Sequence, residues 1–141
     1  MNKLKEFDEL LANKTITDDG WYDYMQDKAI SRAKNFEDTD WKELTSLWKT
    51  RDEDWQIRLA GILGSYNPSK TVQILEAITN ESKPTVIAEA INSLEGMDGD
   101  GYLYVPGENI LQQMEKIYSN TKDPILRSTI ETLQARAKKE K

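Results

Sequence analysis

Residues 52–66, Asp-Glu-Asp-Trp-Gln-Ile-Arg-Leu-Ala-Gly-Ile-Leu-Gly-Ser-Tyr, limit the folds open to this chain more than any other stretch. Trp55, Leu59, Ile62 and Tyr66 recur at helical spacing, so one face of a helix is strongly apolar and must be covered. Thr50 with Glu53 three residues later reads as a capping box, which starts the helix near Arg51. Gly61 and Gly64 lie inside it, each at a cost of about 1 kcal/mol relative to Ala. Small residues three apart are worth that cost where another helix must come close. A central, tightly packed helix is expected.

The flanking sequence supplies its neighbours. Leu4, Phe7, Leu10 and Leu11 mark a short amphipathic helix, and Tyr22, Met25, Ala29, Ala33 and Phe36 mark a second. Asp40 reads as an N-cap, with Glu43 three residues on, for a helix carrying Trp41, Leu44, Leu47 and Trp48. Asn67-Pro68, Pro84 and Asp123-Pro124 each place proline where a helix begins, and periodic apolar residues follow each of them. Residues 97–107 form an irregular insertion, and no stretch of alternation demands a sheet. The expectation is one all-α domain of about eight helices, with residues 1–39 as an N-terminal helical cap.

The chemistry open to such a chain is narrow. It has no cysteine and no histidine, which removes thiolate and disulfide chemistry together with the commonest general base. No nucleophile signature or glycine-rich phosphate loop stands in their place, so no catalytic residue and no cofactor is expected. No apolar run is long enough for a signal peptide or a membrane span, so a cytoplasmic location without membrane contact is expected. A net charge of −6 argues against direct nucleic-acid binding, which needs a basic surface. The same charge favours a basic protein as partner through steering and complementarity.

After residue 40 the helices pair off as 41–50 with 51–66, 68–79 with 84–96, and 108–120 with 123–138. Ile57 and Ile87 occupy matching places thirty residues apart, and Leu126 follows thirty-nine later. Two helices per unit at this period indicate an α-solenoid. The run from Asp54 through Arg58 to Gly64 resembles the second helix of a HEAT repeat, and Asp123 with Arg127 repeats the Asp/Arg spacing. The middle unit has Lys83 and Ile87 in those places. The resemblance implies a short HEAT/ARM-like solenoid of three antiparallel helix pairs over residues 40–138. It also implies that the Asp/Arg residues tie neighbouring repeats together, although the same spacing makes an ordinary i,i+4 ion pair.

Two stretches carry candidate sites. Asp98-Gly-Asp100-Gly suits a hard cation or a simple Gly/Asp turn, but the residues that follow lack the carboxylates of an EF-hand loop. Beside it, Tyr102 and Tyr104 belong to a small hairpin or an inserted loop whose exposed tyrosines touch a partner. Residues 18–27 interleave acid and aromatic side chains: Asp18, Asp19, Trp21, Tyr22, Asp23 and Asp27, with Asp52 and Glu53 later. Between residues 16 and 56 eleven acids face six bases, a net of −5 out of −6. Carboxylates beside aromatic rings are what gripping a basic surface requires. An equally good reading makes Trp21, Trp41 and Trp55 core residues and the acids helix N-terminal charges.

In size, charge and architecture the chain resembles bacterial immunity proteins, encoded beside contact-dependent inhibition or polymorphic toxins. That resemblance implies a cognate toxin domain as partner, often a basic nuclease, neutralised by acidic residues covering its active site or substrate groove. A HEAT-like intracellular adaptor for another protein is the alternative, and a HEAT-like repair enzyme is opposed by the charge.

Overall fold

Several helix starts in this chain are set by side chains that accept backbone hydrogen bonds or by prolines in the first turn. The computed structural model describes residues 3–65, 68–81, 83–97 and 101–139. All regular structure among them is helical. In chain order come α1 (Lys3–Ala12), α2 (Asp18–Gly20), a π turn (Trp21–Met25), α3 (Gln26–Ala33), α4 (Asp38–Leu47) with a 3-10 turn (Trp48–Thr50), and α5 (Glu53–Leu63). They continue as α6 (Pro68–Glu81), α7 (Pro84–Gly96), α8 (Glu108–Asn120) and α9 (Pro124–Lys139). The all-α expectation holds.

Pro68, Pro84 and Pro124 each stand first in their helix. Asp123 caps α9 by accepting from the Ile125 N–H at 3.0 Å, whereas Asn67 lies outside the described residues. Two expected caps are displaced. Asp52, not Thr50, caps α5, its carboxylate accepting from the Trp55 N–H at 3.0 Å. Thr50 belongs to the turn that ends α4, and its hydroxyl is spent on Leu47 O at 2.8 Å. Glu37, not Asp40, precedes α4, and Asp40 reaches back to the Glu37 N–H at 2.9 Å.

One apolar cluster runs from Leu4 and Phe7 through Trp21, Trp48, Trp55 and the α5–α7 side chains to Ile130 and Leu133. Trp55, Leu59 and Ile62 are buried as expected, and Tyr66 lies outside the described residues. Helix α7 packs against α5, α6 and α9, while α5 also meets α1, α3 and α6. Thus α5 joins the N-terminal helices to the rest, but α7 is the more central. Gly64 is where α5 and α7 close up: a Cβ there would stand 3.1 Å from Ser93 Cβ and 3.2 Å from Ser93 O. The Ser93 hydroxyl donates to Ala60 O at 2.6 Å across the same contact. The close approach read from the glycine spacing is real.

The 101–107 segment contains no strand, so the small hairpin is not formed among the described residues. Tyr104 is buried, its hydroxyl donating to the Glu76 carboxylate at 2.6 Å, and Arg136 holds the Tyr104 carbonyl at 3.2 Å. Burial and the Glu76 charge push the Tyr104 hydroxyl well above the usual tyrosine range. The segment is strapped down by its own tyrosine.

Candidate partner-binding surface

Residues 18–33 make one continuous helical run, entered through Thr17, whose hydroxyl accepts from the Gly20 N–H at 3.0 Å. Within it the Gln26 N–H reaches back to Trp21 O, the five-residue step of a π turn. Such turns are uncommon and are frequent at functional sites. Met25 has two candidates one turn earlier for the inward position, and the structure takes the Trp21 indole rather than the Tyr22 phenol. Trp21 is 1% exposed, whereas Tyr22 and Tyr24 are 55% and 75% exposed. Asp18, Asp19 and Asp27 on this run are also exposed, and the Asp23 side chain lies outside what the structure describes.

Arg58 holds this surface to α5. Its guanidinium donates to Leu11 O at 3.2 Å, Asn13 O at 3.2 Å and Ile16 O at 3.0 Å, and lies 4.7 Å from the Trp21 ring centroid. No ion pair to Asp54 forms, so the i,i+4 alternative fails. The carbonyls that end α1 and lead into α2 offer a half-buried cation better partners than an exposed carboxylate. Arg127 behaves alike at the other end of the chain, donating to Tyr118 O at 2.9 Å and Thr121 O at 3.2 Å and stacking on the Tyr118 ring.

Between the 13–18 segment and the start of α5 lies a cavity of about 450 Å³, walled by Asp18, Trp21, Tyr22, Asp52, Asp54 and Arg58 among others. The fold therefore brings four of the sequence candidates together: Asp18, Trp21, Tyr22 and Asp52. Lys14 donates to Asp52 at 2.6 Å; this bond and the Trp55 N–H hold the Asp52 carboxyl below the usual carboxylate range. The Tyr22 hydroxyl is pushed up by partial burial, then by the charges of Glu89 and Asp18.

Other candidates are placed elsewhere. Glu53 accepts from the Thr85 hydroxyl and lies 3.7 Å from Lys83, so it fastens α5 to the start of α7. Trp21 and Tyr104 are buried and offer no ring to a partner, since indole and phenol alike gain more from the core than from the surface. Tyr102 is 39% exposed but belongs to the 101–107 segment, not to this cavity. Among the described residues no group of three or more acids is gathered to hold a metal ion, and Asp98 and Asp100 lie outside them. No helix among them is long and apolar enough to cross a membrane.

Reading the sequence missed Tyr24, Lys14, Arg58 and Glu89 as members of this surface. Tyr24 had a signal, being inside the acidic aromatic run. Glu89 had another, as the one charge between Pro84 and Leu94. Comparison with protein-family models, with curated proteins and with solved structures finds no match to this chain.

Proposed function

We propose that this chain is a protein-binding module that grips a basic partner with the 18–27 surface, and that it serves as an immunity protein against a cognate toxin domain. The observation that carries the reading is the exposure of Tyr22 and Tyr24 beside Asp18, Asp19 and Asp27 on a π turn anchored by buried Trp21. Exposed aromatic rings on a rigid base supply contact area at little entropic cost, and the surrounding carboxylates supply orientation and association rate. A HEAT-like two-helix stack would present such a surface without catalytic groups of its own. The HEAT-like resemblance of residues 54–64 and the acidic charge support that role.

Capture from the source cells tests it, using the wild-type chain beside a D18K/D19K/D27K variant. Wild type is expected to retain a basic protein that the variant loses, and that protein, expressed alone, is expected to arrest growth. Retention of the same protein by both forms overturns the surface assignment. A basic partner without toxic activity leaves an adaptor role and removes the immunity one.

A further inference from the structure

Glu89 of α7 meets α3 and α5 at a single point. A Cβ built on Gly61 would stand 3.0 Å from Glu89 Oε1 and 3.9 Å from the Gln26 amide nitrogen. The missing side chain lets the Glu89 carboxylate lie directly over Gly61, with the Gln26 amide of α3 close by. That carboxylate is half-buried, yet no hydrogen bond or ion pair to it is found among the described residues. An unpaired, partly desolvated carboxylate is costly and calls for a reason. Burial alone raises its proton affinity above the usual carboxylate range. Arg58, electrostatically coupled to the same Tyr22 as Glu89, is no remedy: its guanidinium is committed to three carbonyls and the Trp21 ring.

We infer that Glu89 is the receptor for an arginine side chain of the partner, entering over Gly61 beside the exposed Tyr22 ring. A guanidinium suits the place better than an ammonium, because its planar fork pairs with a carboxylate and its face stacks on an aromatic ring. This rests on the basic-partner reading and sharpens it: the acids of residues 18–27 steer, and Glu89 seats one particular side chain. Gly61 serves recognition, whereas Gly64 serves packing.

The test titrates the full chain with the blocked peptide acetyl-Gly-Arg-Gly-amide at millimolar concentration, following backbone amide NMR shifts. Saturable shifts are expected at Gly61, Tyr22 and Gln26, weakened at least tenfold in E89Q and in G61A. D18K/D19K/D27K is measured in parallel, and circular dichroism confirms that each variant is folded. Shifts confined to residues 18–27 and unchanged in E89Q overturn the Glu89 assignment and leave the acidic surface standing. Shifts lost in E89Q but unaffected by the triple reversal support Glu89 and remove the acidic surface. Absence of saturable shifts in the wild type overturns the Glu89 site.

Discussion

The Arg58 guanidinium lies 4.7 Å from the centre of the Trp21 ring while its N–H groups reach the carbonyls of Leu11, Asn13 and Ile16. One side chain of α5 thus closes the end of α1, shapes the segment leading to α2, and backs the indole on which Tyr22 and Tyr24 are presented.

Replacing Arg58 with alanine is expected to lower stability by about 2–3 kcal/mol, through charged hydrogen bonds left unmade and a lost cation–π contact. Lysine is expected to recover less than half, because a point charge cannot serve three carbonyls and a ring at once. Urea unfolding of the three forms measures both effects. A lysine variant as stable as wild type would show that charge alone matters here.

Gly61 within α5 and Gly64 at its C-cap are expected to respond in opposite directions. Gly64→Ala must displace Ser93 backbone and Cβ atoms 3.1 to 3.3 Å away, and a loss of about 1–3 kcal/mol is expected. Gly61→Ala meets only the end of the Glu89 side chain, so relief of the helix penalty dominates and stability is expected to rise by up to about 1 kcal/mol. Thermal unfolding separates them, and equal losses would contradict the assignment.

Tyr104→Phe removes the hydroxyl that donates to Glu76 and leaves the ring buried. A loss of about 1–2 kcal/mol is expected, with partner binding unchanged. Weaker binding at unchanged stability would return this tyrosine to the interface.

Glu89 imposes a pH dependence. Burial raises its folded pKa above the ordinary 4.5, so the folded state holds the proton more tightly than the unfolded one. In the window above 4.5, up to the raised value, the folded chain binds more protons and stability falls as pH rises. Glu89→Gln is therefore expected to be more stable than wild type at pH 7, the difference shrinking as pH falls through the raised value towards 4.5 and vanishing below it. Urea midpoints at pH 7 and pH 4 check it; a difference that does not change with pH would contradict it.

The all-α class was legible because the apolar spacing of residues such as Trp55, Leu59 and Ile62 and the three helix-opening prolines carry local information. That some helix comes close at Gly64 was legible from the glycine spacing; that the helix is α7 was not. What was not legible depends on competition between neighbours. Trp21 and Tyr22 are both one turn from Met25, and only packing decides which turns inward. Asp52 and Thr50 are both competent caps, and the preceding turn consumes Thr50. Tyr104 looks like a loop residue until Glu76, twenty-eight residues earlier, meets its hydroxyl. Arg58 invites pairing with Asp54 on the same helix, while its partners come from a segment more than forty residues away.

The most direct test of the central claim is the affinity of the captured basic partner for wild type and for D18K/D19K/D27K at low and physiological salt. Three reversals take the formal charge from −6 to 0. Affinity is expected to fall at least about 100-fold at 0.15 M salt, with most of the wild-type salt dependence lost. Equal affinities with the same salt dependence would contradict the claim that this surface is the interface.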